Sequence, residues 1–249
     1  MMSQRVNDQA AYILHRRDYQ DSSLILDLFT QDFGRISVLV KGAKKRKDIA
    51  SFQIGNRLSV SWSGKSDLKI LTQVDCRAIN IPVEFLSGLF YANELLLYLL
   101  PKEDIYSELF KDYQQFLIQL SHLNEDDSAN DQQQFESLLR HFEINLLTEL
   151  GTMLPLNVES DSGQAVEMDQ FYNIDVSHGV TRALEQQRTA YNYSGKELIA
   201  IQQGDLSTVK SLQVAKKILR QIIDLNLQGR TLQSRNFYQK LNLHKKKRH

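Results

Sequence analysis

Apolar residues in the first 80 positions come in short runs closed by polar or glycine punctuation. "AAYILHRRDYQ", "SSLILDLFTQD" and "GRISVLVKGA" are rich in β-branched and aromatic residues, which predicts three strands. "DYQDSS" and "QDFGR" read as tight connections, with Gly34 at a positive-φ turn position. In "GNRLSVSWSG", Leu58, Val60 and Trp62 alternate with Ser59, Ser61 and Ser63. That period of two predicts a strand with one buried and one wet face. "SDLKILTQVDCRAI" follows after the turn "SGKSD". Five short strands with short joints predict a small closed barrel of the OB-fold type.

After Pro82 the period becomes helical. "EFLSGLFYANELLLYLL" sets Phe85, Leu89, Ala92 and Leu96 on one stripe, with most of the other face apolar as well, so it predicts a buried helix stopped by Pro101. "DIYSELFKDYQQFLIQLSHL" repeats Leu109, Tyr113, Phe116, Leu117 and Leu120 at helical spacing. "NEDDSANDQQQ" reads as a mobile acidic linker. "FESLLRHFEINLLTELG" is a third helix with Gly151 as its C-cap. Residues 152–193 carry the weakest pattern and predict loops with one or two short strands around "QFYNIDV". "SGKELIAIQQ" opens with Ser194 and Glu197 at capping-box spacing. In "STVKSLQVAKKILRQIIDLNLQG", Val209, Leu212, Ala215, Leu219, Ile222 and Ile223 are placed inward and Gly229 ends the helix. "TLQSRNFYQKLNLHKKKRH" reads as a short helix entering a basic tail. The fold class expected is α+β: an OB-fold barrel over 1–80, then a mainly helical domain over 81–241 with 152–193 irregular, then a basic tail over 242–249.

Charge alters this picture more than composition does. The chain has 30 Lys+Arg and 30 Asp+Glu, yet the balance is +5 over residues 1–80, −15 over 81–209 and +10 over 210–249. Such asymmetry points to a polyanion partner for the basic parts. The densest run is "LVKGAKKRKD", with Lys41, Lys44, Lys45, Arg46 and Lys47. Arg16, Arg17, Arg35 and Arg57 fall in the same barrel segment as Tyr12, Tyr19, Phe29, Phe33, Phe52 and Trp62. A cationic track with a stacking side chain or two is what single-strand binding needs. The basic C-terminal segment, with Lys216, Lys217, Arg220, Arg230 and Arg235, is a second candidate patch. The bland alternative for each run is a solvated surface.

Catalytic signatures are missing. "SGKS" at 63–66 has Ser59 where a P-loop needs its first glycine, so a hairpin turn accounts for it. The six histidines are scattered, Cys76 is the one cysteine, and no G-x-S-x-G or H-E-x-x-H occurs. No cofactor and no small-molecule substrate are expected. There is no signal-peptide pattern, and the longest apolar stretch, broken by Asn93 and Glu94, is too short for a membrane span. A cytoplasmic protein without a membrane partner is the expectation. Three functions stay open on these residues: a DNA-binding mediator, a protein-interaction adaptor working through the acidic helices, and an RNA-binding OB-fold protein.

The stretch "AYILHRRDYQDSSLILDLFTQDFGRISVLVKGAKKRK" resembles the N-terminal segment of the bacterial RecO family of DNA repair proteins. "YANELLLYLL", "ELFKDYQQFL", "LLRHFEINLLTELG" and "GRTLQSRNFYQKL" resemble later family segments in the same order. The resemblance implies an OB-fold followed by helices, and a non-enzymatic, nucleoid-associated protein. It implies binding to single- and double-stranded DNA, annealing of complementary strands, and action with RecR to load RecA onto DNA coated by the single-strand-binding protein SSB, whose acidic tail RecO proteins bind. Many members carry a four-cysteine zinc module after the third helix; here residues 156–182 hold no cysteine, so no structural zinc is expected. On this footing the DNA-contacting residues expected are Arg35, Lys41, Lys44, Lys45, Arg46, Arg57, Lys216 and Arg235. Arg140, within an apolar helix, is the expected contact for the SSB tail, against the alternative of an internal ion pair to Glu136 or Glu143.

Overall fold

The computed structural model describes residues 5–123, 129–184 and 192–235. They divide into two compact units, Met1–Glu125 with Leu232–His249, and Asp126–Thr231.

The first unit is built on five strands, β1 (Arg5–Tyr19), β2 (Ser23–Thr30), β3 (Gly34–Val40), β4 (Arg57–Ser63) and β5 (Leu68–Arg77). They close into a barrel in the order β1-β2-β3-β5-β4, with β3 and β5 parallel and the other pairs antiparallel. Long β1 pairs with both β2 and β4. Register shifts at Ile13/His15 and at Val6/Gln9 bend it round the barrel, which is the use of a bulge. Ile13, Leu26, Leu28, Val38, Val60 and Trp62 are among the residues that fill the interior. Gly34, at φ 60°, turns β2 into β3 so close to the backbone of Asp104 that a Cβ there would meet its carbonyl oxygen.

The β4 alternation holds for Leu58, Val60 and Trp62 but not for Ser61, which is buried and accepts from the Asp8 amide at 3.1 Å. Leu58, Val60 and Trp62 keep the inward face, so Ser61 lies on the opposite one, where β1 covers it at the Val6/Gln9 shift and the Asp8 amide reaches it. Tyr12 and Phe29, paired across β1 and β2, point out of the barrel. They stack against Phe110 and Tyr113 of α2 (Ser107–Ser121). With both faces of β2 covered, every residue of that strand is buried.

Helix α1 (Leu86–Leu99) buries Leu89, Ala92 and Leu96. Its polar interruption is structural. Asn93 is buried and donates to the Leu14 carbonyl at 3.0 Å and to that of Ile13 at 3.5 Å, where the β1 bulge leaves carbonyls off the ladder. Tyr113 donates to the Asn93 side-chain oxygen. Glu94 accepts from the amides of Gln233 and Ser234 at 2.8 and 2.9 Å, and so holds the returning C-terminal segment.

The second unit contains α3 (Ala129–Glu149), α4 (Gly195–Gln202), α5 (Val209–Asn226) and a small sheet of β6 (Phe171–Asp175), β7 (Gly179–Arg182) and β8 (Tyr193–Ser194). α5 packs on α3 and α4, burying Leu212, Ala215, Ile218, Leu219, Ile222 and Ile223. Four expectations need correction here. α3 starts at Ala129, so the second half of the presumed linker is its first turns, exposed and therefore polar. Val209, in the first turn of α5, is exposed rather than inward. Ser194 makes no side-chain cap for α4, whereas Thr208 caps α5 by accepting from the Ser211 amide. The region 152–193 is more regular than expected, with a three-stranded sheet in the order β7-β6-β8.

Candidate nucleic-acid interface

The chain leaves β3 through Gly42, at φ 62°, and makes one 3-10 turn over Ala43–Lys45 and another over Ile49–Phe52. Ala43 and Phe52 are both buried in the barrel core. These two apolar anchors hold the segment, with Lys44, Lys45, Arg46 and Lys47 between them and Lys41 just before the first. Backbone bonds from Lys44 to Ser22, Lys45 to Gly42 and Arg46 to Ala43 order the first turn. Arg16 adds a side-chain bond to the Phe52 carbonyl at 3.1 Å.

The five bases of this loop are not equivalent. Lys44 pairs with Asp18 at 2.8 Å. Arg46 donates a two-pronged fork to Asp48, at 2.8 and 2.7 Å, and lies over the Phe52 ring, 5.6 Å from its centre. The fork raises the Arg46 pKa and lowers that of Asp48. Lys41, Lys45 and Lys47 are exposed, and among the described residues none of them forms an ion pair. Lys47, absent from the expected contacts, thus joins Lys41 and Lys45 as an available cation. What separates the paired from the unpaired bases is the position of two aspartates, Asp18, 26 residues from Lys44 in the chain, and Asp48, two residues from Arg46.

The other expected DNA contacts lie elsewhere. Arg35 on β3 donates from Nε and Nη2 to the Leu100 carbonyl, at 3.1 and 3.0 Å, and burial lowers its pKa. Its guanidinium ties the strand to the end of α1. Arg57 on β4 is half-buried and stands opposite Arg77 of β5. Lys216 on α5 pairs with Glu136 of α3 at 2.9 Å. Arg235 belongs to the first unit and lies over the Tyr91 ring of α1 at 5.9 Å, so the basic C-terminal segment is divided between the two units. The tail 242–249 lies outside the described residues. Of the barrel aromatics, Tyr12, Phe29, Phe52 and Trp62 are buried and Tyr19 is exposed.

Arg140 on α3 is buried and pairs with Glu143 at 3.0 Å, while Glu136 takes Lys216 instead. Its Nε has no hydrogen-bond partner among the described residues.

The cysteine-free stretch 156–182 does not fit a zinc module. Its one histidine, His178, pairs with Asp175, and among the described residues no three His, Cys, Asp or Glu side chains gather as a metal would need. The segment is held by other means. Arg182 of β7 bridges Glu159, at 2.8 Å, and Glu167, and lies over the Tyr172 ring. The Tyr172 hydroxyl oxygen in turn accepts from the Glu167 amide at 2.8 Å. The two carboxylates raise the Arg182 pKa further. No helix among the described residues is long and apolar enough to cross a membrane.

A closed five-stranded barrel with this strand order, followed by helices, defines an α+β protein of the OB-fold class. The model of the N-terminal part of recombination protein O matches residues 2–79, and that of its C-terminal part matches 84–236. Similar curated proteins, each described as a DNA repair protein RecO, come from Marinobacter nauticus (34% identical, covering 95% of this chain and 96% of the relative), Actinobacillus pleuropneumoniae serotype 3 (34%, 94% and 95%) and Methylococcus capsulatus (36%, 92% and 91%). The chain belongs to the RecO family of DNA repair and recombination proteins.

Proposed function

We propose that this protein is a non-enzymatic recombination mediator, which binds single- and double-stranded DNA, anneals complementary strands and, with RecR, helps load RecA onto SSB-coated single strands. Family membership supports the repair and recombination role. The observation that carries DNA binding is the loop of residues 41–52. Two core anchors hold it, and it presents Lys41, Lys45 and Lys47 without acidic partners among the described residues. Lysine supplies phosphate charge, and each phosphate neutralised on a single strand steepens the salt dependence by about 0.7 in the log–log slope. The experiment is a salt-titrated binding assay against single-stranded DNA, duplex and RNA with the parent chain and a Lys41→Glu, Lys45→Glu, Lys47→Glu variant. Loss of DNA affinity with a shallower slope is expected. Unchanged binding leaves the loop a solvated turn, and a preference for RNA favours the RNA-binding alternative.

Arg140 is proposed as the contact for the acidic SSB tail, on the strength of its unbonded Nε. The affinity of an SSB-tail peptide for a folded Arg140→Ala variant tests it, and an unchanged Kd assigns Arg140 to its Glu143 pair alone.

A further inference from the structure

Arg57 and Arg77 are direct register partners across β4 and β5. Like charges placed opposite one another in an antiparallel pair destabilise it. Neither arginine forms an ion pair among the described residues. Both lie close to Tyr12: burial raises the pKa of that hydroxyl, and the charges of Arg57 and Arg77 act to lower it. The two guanidiniums line a cleft of about 530 Å³ with Asn80, His122 and an apolar wall that includes Ile118. No carboxylate lines it among the described residues. Asp8 and Asp75 line an adjoining cleft that the same arginines border.

A mutually repelling pair, ion-paired to neither of the nearby aspartates and facing a cleft that no carboxylate lines among the described residues, has room for a counter-ion. Phosphate suits it, because each guanidinium offers a planar fork of donors and one anion between two forks removes the repulsion. We propose that this cleft seats a phosphate of a nucleic-acid backbone, held by Arg57 and Arg77 with Asn80 and His122 at its edge. The inference rests on the reading of the chain as a DNA-binding protein and adds a built phosphate seat to the lysine loop.

The test uses the full chain, a labelled oligo(dT) and a KCl series, on three variants: Arg57→Gln with Arg77→Gln, Arg77→Gln alone, and the lysine-loop triple. The double variant is expected to bind at least about tenfold more weakly, since hydrogen bonds to charged groups are lost. Its salt slope falls by about 0.7 for each lost contact. Its melting temperature does not fall below the parent's, because a repulsion is removed; a weaker complex from a no less stable protein is the signature of the site. Parent-like affinity and slope in the double variant, with affinity lost in the loop triple, overturns the phosphate seat and leaves the DNA reading standing. Parent-like binding in both overturns the seat and leaves the loop a solvated turn, whereas a parent that binds no DNA sinks that reading and this inference with it. Should the double variant not fold, exposed Arg77→Gln decides: weaker binding supports the seat and unchanged binding overturns it. Thermal melts in inorganic phosphate against chloride at equal ionic strength separate the two sources. Stabilisation of the parent alone by phosphate, with oligonucleotide binding equal in parent and variants, assigns the cleft to free phosphate and overturns the nucleic-acid assignment.

Discussion

The loop of residues 41–47 and the helix α5 look alike in sequence, each a cluster of bases in a segment of positive balance, and they differ in where the acids are. On α5, Lys210 pairs with Glu197 at 2.9 Å, Lys216 with Glu136 at 2.9 Å, and Arg220 lies 3.8 Å from Asp224. The acidic middle of the chain supplies the first two partners and the helix itself the third. In the loop, Asp18 and Asp48 take Lys44 and Arg46, and Lys41, Lys45 and Lys47 are left without partners among the described residues. Exposed ion pairs are worth little to stability. They matter to function, because a base already facing a carboxylate releases less when it meets a phosphate. Net charge by segment therefore overstates α5 and understates the loop.

The largest effect should come from reversing the unpaired charges. Lys41→Glu, Lys45→Glu and Lys47→Glu together are expected to weaken single-strand binding about 100-fold, since three phosphate contacts are replaced by repulsions. Lys216→Glu, Lys217→Glu and Arg220→Glu together are expected to change it by less than about threefold. Fluorescence anisotropy at two salt concentrations reads both. Equal losses would mean that α5 is part of the DNA track and that its ion pairs open on binding. Within the loop, Lys44→Gln with Arg46→Gln should cost less than Lys45→Gln with Lys47→Gln, because the first two already face aspartates. The reverse order would put the Arg46 fork on the phosphate in place of Asp48.

The same contrast explains what could be read from the chain directly. The barrel strands follow from period-2 runs and turn glycines, and α1, α2 and α5 from stripes such as Leu109, Tyr113 and Leu120. Ser61 was not legible as buried, because what covers its outward face is the β1 irregularity around Asp8, 53 residues away in the chain. The first turns of α3 were hidden because an exposed helix surface and a linker share a polar composition. Asn93 and Glu94 read as blemishes in an apolar helix, yet they satisfy the β1 bulge and the returning C-terminal segment. At the candidate site the cluster of bases was legible and their availability was not. The partners of Lys44 and Lys216 lie 26 and 80 residues away, and only the fold brings them in. Arg35 read as one more base of the barrel, and its fork onto Leu100 depends on where α1 ends.

Arg182 tests the opposite side of that contrast, a base engaged wholly by the fold. Arg182→Ala removes the bridge between Glu159 and Glu167 and leaves Glu159, which is 4% exposed, without its cation. The expected result is faster hydrogen exchange and easier proteolysis across residues 156–182, with DNA affinity unchanged. Unaltered protection there would show that Leu156, Val166, Tyr172 and Val180 hold the sheet by apolar packing alone.

Asp27 gives the smallest effect and probes an engaged charge within the barrel itself. It is buried on β2, accepts from Ser37 Oγ at 2.6 Å and stands 3.6 Å from His15 Nδ1. Burial alone would raise its pKa, but the bonds from His15 and Ser37, with the charge of Arg17, outweigh it and hold the folded value below 3.8. A depressed carboxylate contributes stability that is fully present above its unfolded pKa and is lost as pH falls through the lower folded value. The parent should therefore hold its melting temperature down to about pH 4 and lose stability below it, more steeply than Asp27→Asn, which has no carboxyl to protonate at that site. At neutral pH the substitution should cost about 1 kcal/mol, since the amide keeps the Ser37 bond with a weaker acceptor. The measurement is thermal unfolding as a function of pH for both proteins. Parallel curves below pH 4 would place the acid sensitivity of the barrel on other carboxylates, Asp48 with its Arg46 fork first among them.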